Sequence, residues 1–150
     1  MDYNCAIFCS GAGSNLQAIY TSITNNILIA NISIVIIDNN NAKCIDYCKL
    51  FNINYKVIVW DKANQTRENY YNFILDNVMS YNLNLIVCAG WMNIIPQNFI
   101  DVYKNIINLH PALPNTFIGT NCIKKAYDSY LINNIKYSGI MVHRVIADVD

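Results

Sequence analysis

Two stretches of this 150-residue chain carry residues whose types and spacing could do chemistry. The first is Ser10-Gly-Ala-Gly-Ser-Asn15, placed between an apolar run and an amphipathic one. Glycines at 11 and 13 permit a tight turn with positive φ and leave backbone N–H groups uncovered. A helix starting there adds unsatisfied amides and the positive end of its dipole, which together attract an anion. Ser14 and Asn15 add side-chain donors, so a phosphate is the expected ligand. The dinucleotide pattern GxGxxG fails at its third glycine, where Leu16 stands, and no Lys-Ser or Lys-Thr pair completes a P-loop. Asp38, at the end of the next apolar run, keeps a ribose-binding role open. The same loop would also serve as a capped turn that holds nothing.

The second stretch is Asn108-Leu-His110-Pro111. In an extended segment residues i and i+2 point the same way, so Asn108 and His110 share a face. An amide donor beside an imidazole suits stabilisation of charge growing on a carbonyl oxygen. No second His or Cys stands at ligand spacing near His110, which disfavours a metal. No GxSxG elbow exists for a serine triad. A His-Pro turn capped by an asparagine is the plainer alternative. The other histidine, His143, fits a satisfied strand histidine at least as well and stays outside the catalytic set.

The elements that must position these residues alternate in type. Strand signals cover 4–9, 31–37, 56–60, 85–89, 106–109 and 136–145. Helical spacing covers 14–25, 42–51, 66–80, 96–103 and 121–131. Leu16, Ile19, Tyr20 and Ile23 make one apolar stripe, and Tyr70, Phe73, Ile74 and Val78 another. Alternation of this kind implies right-handed crossovers and an α/β fold built on an open, doubly wound, mostly parallel sheet. Ligands bind such sheets beyond the carboxyl ends of the strands, where both chemical stretches fall.

Composition narrows the partners. Apolar residues make up 54% and charged residues 13%, with formal net charge zero. No basic surplus points to nucleic acid or an anionic membrane, so a bound anion must be held by local geometry. The longest apolar runs are strand-length, and the start Met1-Asp-Tyr-Asn4 has no signal-peptide character, so a cytoplasmic protein is expected. Six cysteines without a CxxC pair read as reduced, buried thiols rather than a disulfide or zinc framework.

Taken together, the segments resemble the glycinamide ribonucleotide formyltransferases. Ser10-Gly-Ala-Gly-Ser-Asn-Leu-Gln-Ala18 is similar to that family's SGxGSNLQA, and Cys88-Ala-Gly-Trp-Met92 to its AGFM or AGWM. Asn108-Leu-His-Pro-Ala-Leu-Pro114 resembles its N-[IL]-HPxLP, and Gly139-Ile-Met-Val-His143 its GxxVH. The likeness runs from Tyr3 to Asp150, and the HPALP form with Trp91 is similar to the fungal branch. It implies a Rossmann-like formyltransferase fold in one domain, 1–150, that is incomplete at its C-terminal end, because relatives continue past Asp150.

The implied reaction transfers the formyl group of the co-substrate 10-formyltetrahydrofolate to the amine of N1-(5-phosphoribosyl)glycinamide in purine biosynthesis, with no metal. By resemblance Asn108, His110 and Asp150 are catalytic, and Gly13, Ser14, Asn15, Leu16, Gln17 and Gly90 bind the ribonucleotide. The folate falls to Arg67, Met92, Asn93, Ile94, Ile95 and Asn108, together with the loop Ile146, Ala147, Asp148, Val149 and Asp150. Three departures stand out: Asn93 where many relatives have arginine, no histidine in Gly119–Cys122, and Asp148 close to Asp150. The alternatives are an inactive phosphate- or nucleotide-binding fragment and another folate-dependent formyl transferase or hydrolase.

Overall fold

The apolar run Asn4–Cys9 is buried along nearly its whole length, which suits a strand covered on both faces. It forms β1, the middle of a sheet, in a computed structural model that describes residues 3–117, 119, 121–133 and 135–146. β2 (Asn31–Ile37) lies parallel on one side of it and β4 (Leu85–Cys88) parallel on the other. β3 (Tyr55–Val57) extends the sheet beyond β2, and β5 (Ile106–His110) extends it beyond β4. β6 (Met141–Arg144) closes that edge antiparallel to β5, giving the order β3-β2-β1-β4-β5-β6. The sheet is therefore mostly parallel, as its alternating pattern implied.

Side chains alternate across β1 and send the core to both faces. Ile7 and Cys9 pack with Leu16, Val35, Ile37, Cys44 and Cys48, beneath α1 (Ser14–Thr24) and α2 (Cys44–Leu50). Ala6 and Phe8 pack with Ile36, Tyr70, Tyr71, Ile74, Ile86 and Phe99, beneath α3 (Arg67–Val78) and α4 (Gln97–Val102). Each fully buried Leu, Ile or Phe here contributes about 1.5–3 kcal/mol. Helices on both sheet faces make the architecture doubly wound. All six cysteines are buried and free.

Most element ends fall within two residues of expectation, and the larger differences have local causes. β3 ends at Val57 rather than Trp60, because Trp60 leaves the ladder to donate its indole N–H to the Gln65 carbonyl at 2.9 Å and to stack on Tyr70. β6 starts at Met141 rather than Lys136, since an edge strand continues only as far as its one partner, β5. Helix α3 stops at Val78 and a 3-10 turn over Met79–Tyr81 finishes the segment. On α3, Phe73 is half exposed while Tyr71 is fully buried, so the core-facing stripe is Tyr70, Tyr71, Ile74 and Val78. Helix α5 (Cys122–Asn133) follows β5 and buries Cys122 and Ala126.

Candidate functional site

The glycine turn forms because the chain must pass over α2 without a side chain. Gly13 sits at φ +79, and a Cβ there would lie 2.6 Å from Cys44 Cβ and 2.9 Å from Cys44 Cα. Cys44 in turn donates its amide to the Gly11 carbonyl at 3.1 Å, which clamps the turn onto the start of α2. Gly13 caps α1 without a side-chain bond, and the first helical hydrogen bond runs from the Gln17 amide to the Gly13 carbonyl at 2.9 Å. The amides of Ser14, Asn15 and Leu16 therefore precede the hydrogen-bonded ladder and carry the positive end of the helix dipole. Leu16 is itself fully buried, so only its main chain can serve a ligand. The amide of Gln17 is already spent on Gly13.

A cavity of about 200 Å³ lies over this turn, lined by residues 10–15 with Ala89, Gly90 and Met92. Gly90 follows β4 at φ +84, and its carbonyl accepts from the Ser10 amide at 3.1 Å. Another cavity, about 390 Å³, lies between α5 and residues 135–140. Its wall is mostly apolar, with Ile123, Tyr127, Tyr130 and Ile140 prominent; Pro111 and Gly139 of the sequence motifs border it, but none of the residues expected to be catalytic or to bind a ligand does.

Asn108 and His110 stand at the carboxyl end of β5, as the strand register requires. Asn108 lies opposite Cys88 of β4, which lies opposite Phe8 of β1. Two strand spacings, roughly 10 Å, separate Asn108 from the strand that launches the glycine turn. Neither Asn108 nor His110 lines the cavity over that turn; they form a neighbouring part of the same sheet edge. His110 is 7% exposed, and its Nε2 lies 3.6 Å from the Cys122 thiol of α5. Asn108 faces His143 across the antiparallel ladder, its amide Nδ2 3.2 Å from His143 Nε2. Alternation places Asn108, His110 and His143 on one face of the β5–β6 pair. His143, left outside the catalytic set on sequence grounds, is thus a direct partner of Asn108. Only the β5–β6 register could have shown this.

The segment after β4 supplies an apolar lip beside both groups. Met92 is 67% exposed and Ile94 43%, whereas Trp91 and Ile95 turn into the core. Trp91 donates its indole N–H to the Tyr71 hydroxyl at 2.8 Å, and that hydroxyl donates to the Asn93 carbonyl at 3.2 Å. Burial pushes the Tyr71 hydroxyl pKa far up, so it remains a neutral donor. Arg67 opens α3 one turn before Tyr71, on the same helical face, with its guanidinium 5.8 Å from the Trp60 ring centre. Its Nε is buried without a hydrogen-bond partner among the described residues. Ile146, 65% exposed, follows β6, while Ala147, Asp148, Val149 and Asp150 lie outside the described residues. Among the described residues no group of three His, Cys, Asp or Glu side chains is placed to hold a metal ion. No helix among them is long and apolar enough to cross a membrane.

A family model described as formyl transferase matches residues 3–150. The phosphoribosylglycinamide formyltransferase of Dictyostelium discoideum is 36% identical over an alignment of 163 residues, covering 100% of this chain and 79% of that protein. The Schizosaccharomyces pombe protein of the same name is 33% identical, over 96% of this chain and 75% of its own length. Among solved structures, glycinamide ribonucleotide transformylase 1 from Geobacillus kaustophilus superposes with a TM-score of 0.90 at 27% identity, over 100% of this chain and 78% of that one.

Proposed function

The chain belongs to the formyl transferase family, and from that premise we propose how its sheet edge carries out the family's chemistry. The reaction is formyl transfer to the primary amine of phosphoribosylglycinamide, a step of purine biosynthesis. The donor, 10-formyltetrahydrofolate, supplies the one-carbon group. What supports this most directly is the placement of Asn108 and His110 on one face at the end of β5, next to the apolar lip that follows β4 and two strands from the one that launches the glycine turn.

The glycine turn holds the substrate's phosphate on the amides of Ser14, Asn15 and Leu16, which an uncovered helix start makes a ready anion site. Gly13 keeps that surface bare, and Gly90 borders it from β4. The donor's ring fits the lip of Met92, Asn93, Ile94 and Ile95, where two exposed apolar side chains flank the half-buried Asn93. Arg67, on the helical face that supports this lip, suits the donor's acidic tail. Ile146, Ala147, Asp148, Val149 and Asp150 contact the donor in this reading.

As the amine adds to the formyl carbon, negative charge grows on the formyl oxygen. The Asn108 amide and the His110 imidazole donate to that oxygen, and Asp150 moves the amine's proton, through water, to the donor nitrogen as its bond to the formyl carbon breaks and tetrahydrofolate leaves. His143 holds the Asn108 amide in place from the opposite strand. The chemistry needs no metal, and soluble substrates of this kind suit a cytoplasmic enzyme. Incubation with phosphoribosylglycinamide and 10-formyltetrahydrofolate, followed by the absorbance of the released tetrahydrofolate, tests the reading. Turnover that falls by about 10²-fold or more in His110→Ala and in Asn108→Ala supports it. A chain that hydrolyses the donor without formylating the amine refutes it.

A further inference from the structure

Asp38 ends β2 beside the glycine turn, where an acid in a dinucleotide-binding fold would hold a ribose. Its surroundings exclude that use. Oδ2 accepts from the Asn93 side-chain amide at 2.6 Å, and Oδ1 is buried away from solvent. Both oxygens are therefore turned into the protein. Burial drives the carboxyl pKa up, partly offset by the Ser10 hydroxyl and the Asn93 amide. A half-buried acid is costly to keep unless something depends on its bond.

What depends on it is the lip. Residues 90–93 are tied on one side to the glycine turn, through Ser10 N–H to the Gly90 carbonyl at 3.1 Å and Met92 N–H to Ser10 Oγ at 3.0 Å. On the other side Tyr71 holds Asn93 by its carbonyl, and Trp91 anchors against Phe8 with ring centres 5.0 Å apart. The Asp38–Asn93 bond is a side-chain link that reaches from β2 across β1 to this segment, 55 residues along the chain. Asn93 is thus gripped at both its backbone and its side chain.

We propose that Asp38 is a positioning residue: with Asn93 it forms a strut that holds the donor-binding lip in register with the phosphate-binding turn. This rests on the proposed formyl transfer for the identity of the two ligands, and on geometry alone for the strut. Breaking it loosens the lip and leaves the phosphate turn clamped by Cys44. Donor binding suffers first.

The test compares Asp38→Ala, Asn93→Ala, the double variant and Asp38→Asn, which keeps an acceptor oxygen. The strut predicts a rise of about tenfold in donor KM for each alanine variant, with a much smaller change in KM for phosphoribosylglycinamide. The double variant should be no worse than either single one, and Asp38→Asn should stay within about twofold of the parent. Hydrogen–deuterium exchange of the 90–95 peptide should quicken in Asp38→Ala but not in Asp38→Asn. Unchanged exchange and donor KM in Asp38→Ala, or additive losses in the double variant, would overturn the strut. If the parent chain transfers no formyl group, the functional reading falls, and the exchange measurement still decides the strut.

Discussion

Replacing Gly13 with alanine loads the most constrained point of the phosphate turn. An L-residue at φ +79 costs about 1–2 kcal/mol in backbone strain alone. The new Cβ would also sit 2.6 Å from Cys44 Cβ and 2.9 Å from Cys44 Cα, far inside the roughly 3.5–4.0 Å at which carbons rest. One of those atoms is backbone, so α2 or the turn must shift, an overpacking cost of about 1–3 kcal/mol. The sum, about 3 kcal/mol, corresponds to a fall of roughly 6–12 °C in Tm for a chain of this size. Gly11→Ala is the internal control, because a Cβ there meets nothing within 4 Å; its stability should change by no more than about 0.5 kcal/mol. Thermal melts and urea denaturation of the two variants, side by side, read the difference. Adding Cys44→Gly to Gly13→Ala removes the nearer contact and should return part of the loss. If Gly13→Ala melts with Gly11→Ala, the close approach of turn and helix is not what shapes this site.

Three further outcomes follow from the same geometry. Asn108→Ala should lower kcat by about 10²–10³-fold with little change in either KM, and a variant within threefold of the parent would remove Asn108 from the oxyanion site. Tyr71→Phe leaves the buried Trp91 N–H and the Asn93 carbonyl without their partner and should cost about 1–3 kcal/mol in urea denaturation; an unchanged midpoint would refute that bond's role. For Asp38, burial raises the folded pKa above the ordinary 3.8, so the folded state binds the proton more readily than the unfolded chain. The Asp38 contribution to stability therefore falls as pH rises from below 3.8 through the raised value and is flat above it. Asp38→Asn should gain on the parent across that window and match its pH trend beyond it, measured as denaturation midpoint against pH.

Where a segment's own residues satisfy its burial, the chain was readable. Strands β1 and β2 begin and end where their apolar runs meet Asn, Ser and Asp, because a central parallel strand needs only continuous apolar character. The edges were less legible. β3 and β6 are half-buried, and their ends depend on how far a single neighbour extends, which no local pattern records. On α3 the spacing favoured Phe73 over Tyr71. Tyrosine can be buried only if its hydroxyl finds partners, and those are Trp91 and Asn93, more than 19 residues away.

The site divides in the same way. Ser10–Gln17 and Asn108–His110 announced themselves by type and spacing, since a bare helix start and a paired amide and imidazole are local properties of adjacent residues. His143 against Asn108, Cys122 against His110 and Asp38 against Asn93 are pairings across 35, 12 and 55 residues. A hydrogen bond needs its two groups within about 3.5 Å, and only strand register and crossover bring such distant groups that close. Sequence alone determined which groups can act. The tertiary structure decided which of them meet.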